Sequence, residues 1–253
     1  MSKGIVLSLY DFTGEACRPW AEAGYTCHAF DIQHADAGVT FLNTQFFAGG
    51  GSISYRHADL HRVAILGALW LDFLNEDVVF GMAFPVCTDL AVSGAAWFKK
   101  KAEANPSFQM DAVGHAVMCA GLFDLLDVPY FIENPVSVLA TKWRKPDYSF
   151  HPYEYGGYIA DDQADHPRWP EYIAPRDAYK KKTCLWTGGG FVMPDKVAVD
   201  CEGYHGNGYS TAMMKLGGKS QRTKDIRSAT PRGFAEAVYQ SNKGENHETS
   251  LSI

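Results

Sequence analysis

Long hydrophobic runs are missing from this sequence of 253 residues. No stretch approaches the roughly 18 consecutive apolar residues that a membrane helix needs. The apolar run at the start is broken by Asp11, which makes it too short for a signal peptide. The six cysteines form no Cys-x-x-Cys pair, which argues against a metal knuckle or a disulfide-stapled scaffold. We therefore expect a reduced, cytoplasmic protein with neither a membrane anchor nor a metal site.

Positive charge is also scarce, because 23 Lys and Arg stand against 29 Asp and Glu, a net charge of −6. This balance excludes a globally basic nucleic-acid-binding protein, so any such contact must come from a local patch. One candidate patch runs from Lys215 to Arg232, where six basic residues accompany a single acid, Asp225. The basic residues are Lys215, Lys219, Arg222, Lys224, Arg227 and Arg232. A flexible, solvated loop would have the same composition.

The remaining composition, 46% hydrophobic and 21% charged, is typical of a folded globular protein. Apolar runs of strand length alternate with amphipathic helical patterns. Strands are predicted at 4–10, 25–30, 53–57, 78–83, 129–132 and 180–186, and helices at 15–24, 63–75, 111–127 and 230–240. This alternation predicts an α/β fold with a doubly wound, mostly parallel sheet and helices on both faces.

Composition changes divide the chain into three predicted regions. Residues 1–190 form the core, interrupted by an irregular excursion at about 145–178 that is rich in Tyr, Pro, Asp and Gly. Residues 191–240 form a small C-terminal region that completes the fold and is a candidate for contact with substrate. The polar tail, residues 241–253, is predicted to be disordered.

Ligands of doubly wound sheets bind beyond the carboxyl ends of the parallel strands. The first strand runs into a tight turn, Asp11-Phe12-Thr13-Gly14, whose glycine lets the backbone approach a ligand. Asp31 ends the second strand, where such folds hold ribose hydroxyls with a carboxylate, and Asp59 follows the third. A single acid at a strand end is usually a helix cap. Two of them beside a glycine turn indicate an adenosine-type ligand.

The next two strand ends carry reactive side chains. Cys87 lies in Phe84-Pro85-Val86-Cys87-Thr88-Asp89, past the fourth strand, where backbone N–H groups at a helix start can favour the thiolate. The other five cysteines fit core packing. Glu133 follows the fifth strand and is locked by Asn134-Pro135, so we expect a raised pKa and a protonated form. Together they predict a catalytic pair, although Glu133 can also be a helix cap.

The order of these motifs resembles the cytosine-C5 DNA methyltransferase family, especially the small methylase-like proteins of phage genomes. The resemblance rests on the Phe-x-Gly turn, the two strand-end acids, Pro-x-Cys-Thr-Asp and Glu-Asn-Pro-Val, and it spans about residues 4–240. Segments 179–186 and 227–234 are also similar to the phage group. The resemblance implies a class I methyltransferase, Rossmann-like fold that binds S-adenosyl-L-methionine.

Residue roles follow from the resemblance. Phe12 would stack on adenine, and the Gly14 turn would pass under the methionine end of the cofactor. Asp31 would bind the ribose hydroxyls and Asp59 the adenine amino group. The other implied cofactor contacts are Asp11, Thr13, Ile32, Phe84 and Pro85.

On the substrate side, Cys87 would add to C6 of a cytosine while Glu133 engages N3 and the exocyclic amine. That addition would make C5 nucleophilic enough to accept a methyl group. Lys182 would be an orienting cation beside the base, although a solvated lysine run is the commoner situation. The other implied substrate contacts are Asn134, Arg222, Lys224 and Arg227.

The chain also departs from the family pattern. Ala16 stands where the family usually has a glycine, Asp11 lies one position later than the common aspartate, and Val86 replaces a proline. Only about forty residues separate Trp186 from Arg227, so a target-recognition domain is minimal or absent.

The leading expectation is methylation of cytosine C5 in DNA with loose sequence preference, through weak contacts made by the basic patch. The first alternative is the same chemistry on a free cytosine nucleotide, which needs no recognition domain. A second is a non-catalytic nucleic-acid or partner-binding module, against which the intact Cys87 and Glu133 argue. A zinc deaminase is excluded because no His-x-Glu with Pro-Cys-x-x-Cys is present.

Overall fold

A single eight-stranded sheet organises the computed structural model, which describes residues 2–35, 43–201, 216 and 220–244. Its strands are β1 (Ile5–Leu9), β2 (Thr26–Asp31), β3 (Thr44–Phe46), β4 (Ser52–His57), β5 (Val78–Ala83), β6 (Tyr130–Pro135), β7 (Tyr148–Phe150) and β8 (Thr183–Gly188). They lie in the order β3-β4-β2-β1-β5-β6-β8-β7. The five strands from β4 to β6 in that order are parallel, whereas β3, β8 and β7 pair antiparallel with their neighbours.

Seven α-helices accompany the sheet in the described residues. They are α1 (Arg18–Glu22), α2 (Val63–Phe73), α3 (Phe98–Ala104), α4 (Phe108–Leu125), α5 (Leu139–Lys142), α6 (Gln221–Ser228) and α7 (Arg232–Asn242). None of the described helices is long and apolar enough to cross a membrane.

Both faces of the sheet are covered, because neighbouring residues of a strand point to opposite sides. In β1, Leu7 packs into a core with Phe73 of α2 and Phe123 of α4. Val6 packs into a second core with Trp20 of α1 and Phe234 of α7. The predicted α/β fold, with a mostly parallel sheet and helices on both faces, is therefore confirmed.

The sequence-based boundaries differ from the structure mainly where elements are short. The helix predicted at 15–24 shrinks to the five residues of α1, which has Pro19 in its first turn. The last predicted strand is shifted from 180–186 to Thr183–Gly188. The sequence does not predict the strands β3 and β7, which have three residues each. It also does not predict the helices α3, α5 and α6.

The excursion at about 145–178 consists mainly of short elements. It contains β7 and three 3₁₀ turns, Pro152–Tyr158, Asp161–Gln163 and Pro175–Asp177. Ile173 and Tyr179 pack with Ile226 of α6 in a third, small core. Lys215, Lys219 and residues 245–253 lie outside the described residues.

Candidate active site

A cavity of about 690 Å³ opens at the carboxyl ends of the parallel strands. We refer to it as the strand-end cavity. The strand order reverses beside β1, and doubly wound sheets bind their ligands at such a point. Its volume lies within the range of small-molecule sites. The turn after β1 and the end of β2 form one half of its wall, and Cys87, Glu133 and α6 form the other.

Asp11 holds the turn after β1 in shape from inside. Its carboxylate is buried and accepts hydrogen bonds from the Ser8 hydroxyl and the Gly14 N–H, both at 2.8 Å. Burial raises the pKa of this carboxyl group, and the hydrogen bonds oppose that shift. Asp11 lines the cavity as expected, but its carboxylate is engaged by the turn itself.

Phe12 and Thr13 present the turn to the cavity, whereas Gly14 does not line it. The ring of Phe12 stacks on that of His34 with centroids 5.6 Å apart. Gly14 has a φ of 70°, and a Cβ there would collide with the ring of Tyr55. The glycine is therefore required by the backbone conformation and by packing.

Of the two strand-end acids, the structure brings only Asp31 to the cavity wall. Asp31 is 7% exposed, ends β2, and accepts a hydrogen bond from the N–H of Gln33 at 2.8 Å. The carboxylate of Asp59 instead accepts the N–H of His61 at 3.3 Å. The residues on either side of Asp59, Ala58 and Leu60, line the cavity in its place.

Cys87 lies at the start of a 3₁₀ turn after β5, and its side chain is exposed toward the cavity. Partial burial and the charge of Glu133 raise the pKa of the thiol, whereas the ammonium group of Lys181 opposes them. Asn134 ties this loop to β6, because its Nδ2 donates to the carbonyl oxygen of Pro85 at 2.8 Å. Phe84 and Pro85 also line the cavity.

Glu133 supplies a half-buried acid to the same wall, and its Oε1 atom is shielded from solvent. Burial raises the pKa of its carboxyl group, and Lys181 again opposes the shift. Within the described part of the chain, Glu133 Oε1 and Asn134 Oδ1 are buried without a hydrogen-bond partner. Unsatisfied buried acceptors are rare in folded proteins, and at a cavity wall they suggest polar contacts with a ligand.

The cation beside Glu133 is Lys181 rather than the expected Lys182. Lys181 lines the cavity and donates from Nζ to the carbonyl oxygen of Arg227 at 2.9 Å. Lys182 is exposed and lies off the cavity wall. Of the two adjacent lysines, only Lys181 therefore faces the cavity.

Helix α6 closes the far side of the cavity with one of its faces. The lining residues Gln221, Lys224, Asp225 and Ser228 recur at helical spacing. Gln221 also donates a hydrogen bond to Gln33 on the opposite wall. Among the residues that the structure describes, no acid pairs with Lys224.

The two arginines of α6 have different surroundings. Arg227 lines the cavity, but its guanidinium donates to the carbonyl oxygen of Leu216 at 2.8 Å. Arg222 does not line the cavity and lies over the ring of Tyr172, 5.9 Å from its centroid. Of the expected substrate contacts, the structure therefore brings Asn134, Lys224 and Arg227 to the cavity and leaves Arg222 outside it.

A search of protein-family models and a search of curated protein sequences return no match to this chain. In the described ranges, no three His, Cys, Asp or Glu side chains form a group that could hold a metal ion.

The proximity of the three reactive groups leads to a first prediction. Glu133→Gln should lower the pKa of Cys87, because it removes a negative charge that disfavours the thiolate. Lys181→Gln should raise that pKa by removing a favourable positive charge. The pH dependence of iodoacetamide alkylation, followed by mass spectrometry of the Cys87 peptide, measures both shifts. Cys201, half-exposed elsewhere in the chain, serves as the internal control. Unchanged Cys87 profiles in both variants would contradict a shared site.

Proposed function

We propose that this chain is an S-adenosyl-L-methionine-dependent methyltransferase that acts on C5 of cytosine in DNA. One observation carries the proposal. The exposed thiol of Cys87 and the carboxyl group of Glu133 come from the ends of neighbouring strands and line one cavity. The same cavity is lined by Asp31, at the end of β2, and by Phe12, in the turn after β1. These are the functional groups that such a transfer requires, and the sheet is compatible with a fold of this class.

The nucleotide half of the cavity has the character of an adenosine site. Phe12, Ile32 and Leu60 supply apolar surface. Asp31 supplies a carboxylate at the strand end where doubly wound folds bind ribose hydroxyls. Bound S-adenosyl-L-methionine would supply an electrophilic methyl group to the other half of the cavity.

Cys87 and Glu133 would activate the base, because C5 of cytosine is a poor carbon nucleophile. The Cys87 thiolate forms a bond to C6, the C5=C6 electron pair moves into conjugation toward N3, and the Glu133 carboxyl group protonates N3. The resulting enamine carries nucleophilic character at C5, which would take the methyl group from the sulfonium of the bound cofactor and leave S-adenosyl-L-homocysteine. Loss of the C5 proton to solvent, return of the N3 proton to Glu133 and departure of the thiolate restore the aromatic ring.

The electrostatics of the cavity support separate roles for Glu133 and Lys181. Burial raises the pKa of Glu133 and so favours the protonated form that donates to N3. Partial burial and the charge of Glu133 also raise the pKa of Cys87, which favours the neutral thiol over the thiolate. Lys181 is the cation that favours the thiolate, so its role is to assist the attack on C6.

Nucleoside analysis tests the proposal directly. The protein is incubated with labelled S-adenosyl-L-methionine and with duplex DNA, single-stranded DNA or dCMP, and the products are digested and separated by mass spectrometry. We expect labelled 5-methyldeoxycytidine from DNA. A protein that binds the cofactor but modifies none of the three substrates would contradict the proposal.

Methylation of a free cytosine nucleotide is the second candidate, and one observation favours it. Lys181, Lys224 and Arg227 line the same cavity as Cys87, where they would meet the phosphate of a single bound nucleotide. A free nucleotide also requires no base flipping, which costs a few kcal/mol on a duplex.

Salt dependence distinguishes the two candidates. If DNA is the substrate, its affinity should fall steeply with added salt, because bound phosphates release counterions. The fall should be less steep in the variant Arg222→Ala/Lys224→Ala/Arg227→Ala, measured by fluorescence anisotropy. The matched control Lys99→Ala/Lys100→Ala, on the exposed part of α3, should keep the wild-type slope. Full-rate methylation of dCMP in the presence of excess unlabelled DNA would overturn the DNA assignment.

A further inference from the structure

The excursion contacts the ligand-binding turn, although it lies far from it in the sequence. A guanidinium nitrogen of Arg168 donates to the carbonyl oxygen of Thr13 at 2.7 Å. Arg168 Nε also lies 3.5 Å from Oε1 of Glu15, just after the turn. Thr13 lines the strand-end cavity, whereas Arg168 itself does not. The guanidinium therefore contacts the turn from outside the cavity.

Glu15 explains why a cation is needed there. Its side chain has no solvent exposure, and an uncompensated carboxylate in such a place is costly. Arg18 Nε lies 3.4 Å from one of its oxygens and Arg168 Nε 3.5 Å from the other. Arg18 belongs to α1, which directly follows the turn. Arg168, in contrast, comes from the distant excursion.

The backbone that carries Arg168 is itself held in place. His166 is buried, and its Nδ1 accepts the N–H groups of Arg168 and Trp169, each at 3.2 Å. Arg232, at the start of α7, donates to the carbonyl oxygens of Gln163 and Ala164, each at 2.9 Å. The position of the guanidinium is therefore set by the packed body of the protein.

The turn after β1 is consequently held by hydrogen bonds on two sides. Asp11 holds the Gly14 N–H from within, and Arg168 holds the Thr13 carbonyl oxygen from without. We propose that Arg168 is a positioning residue that fixes the Phe12–Gly14 turn in its ligand-binding geometry. The identity of the ligand rests on the proposed function, but the effect on the turn does not.

Hydrogen–deuterium exchange of the ligand-free protein tests whether Arg168 stabilises the turn. In Arg168→Gln, amide exchange over residues 12–15 should rise, while exchange in β1 and β2 stays at the wild-type level. Arg176→Gln is the matched control, because Arg176 lies in the same excursion and pairs with Asp161 at 2.8 Å and with the Gly156 carbonyl oxygen at 3.2 Å. This control should leave exchange at the turn unchanged.

Calorimetry with S-adenosyl-L-methionine tests the consequence for binding. Arg168→Gln should weaken the affinity about tenfold, which is the effect expected from the loss of one hydrogen bond to a charged group. The same variant should raise KM for the cofactor and leave kcat unchanged. Arg168→Lys should recover part of the affinity, because an ammonium group can still donate to the Thr13 carbonyl oxygen.

The outcomes separate the inference from the proposed function. Wild-type exchange at residues 12–15 in Arg168→Gln would overturn the inference, and so would a rise spread equally over β1 and β2. Faster exchange at the turn with unchanged cofactor affinity would also overturn it. A wild-type protein that binds no S-adenosyl-L-methionine would overturn the proposed function alone, and the exchange experiment would then decide the inference.

Discussion

Cys87→Ala is expected to abolish methyl transfer and to leave the affinity for S-adenosyl-L-methionine nearly unchanged. The reason is that the thiol acts on the base, in the half of the cavity opposite Asp31 and Phe12. Without the bond to C6, C5 has no means of becoming nucleophilic. Methyl transfer to DNA, followed with labelled cofactor, and calorimetric binding of the cofactor measure the two effects separately.

Covalent trapping supplies an independent readout for the same residue. An oligonucleotide with 5-fluorocytosine should form a stable adduct with the wild-type protein, because the fluorine at C5 blocks the final elimination. Cys87→Ala should form no adduct, whereas Cys201→Ala, the control at the half-exposed thiol, should form it normally. Wild-type turnover in Cys87→Ala would rule out the mechanism.

Asp31→Ala is expected to weaken S-adenosyl-L-methionine binding at least tenfold. Loss of a hydrogen-bonding partner to a charged group typically costs about 1.5–3 kcal/mol, and the carboxylate of Asp31 is almost fully buried at the cavity wall. Asp59→Ala is the matched control, because Asp59 also follows a parallel strand but directs its carboxylate to the N–H of His61. We expect its affinity to stay close to that of the wild type.

Calorimetry of the two variants, together with thermal denaturation of each, completes the comparison. Equal losses of affinity in both variants would show that both acids contact the cofactor. Normal binding by Asp31→Ala would mean that the acid only braces the loop through Gln33, and the assignment of the cofactor half would be wrong.

The sequence predicts the parallel part of the sheet well, for a physical reason. Parallel strands are buried on both faces, so they appear in the sequence as apolar runs and can be predicted without knowledge of their neighbours. The strands β3 and β7 are different, because they have three residues each and depend on pairing with β4 and β8. The antiparallel placement of β8 between β6 and β7 is likewise a tertiary property.

The candidate site shows the same division. Cys87, Glu133 and Asp31 could be predicted because strand ends converge on one edge of a parallel sheet. The sequence could not predict whether Lys181, Lys182 or Asp59 faces the cavity, because a shift of one residue along a strand moves a side chain to the opposite face. The role of Arg168 has no local signal at all, since its contacts with Thr13 and Glu15 join segments that are about 155 residues apart.

The contribution of α6 to the cavity wall has a consequence for protein synthesis. A ribosome producing this chain delivers Cys87 well before Lys224 and Arg227, which complete the wall. About 140 residues must still be added, which at roughly 5–20 residues per second takes on the order of ten seconds. Throughout that interval the nascent chain carries Cys87 without the residues of α6 that later complete its cavity. A chain released before α6 is synthesised therefore lacks two of the cations that line the finished cavity, Lys224 and Arg227.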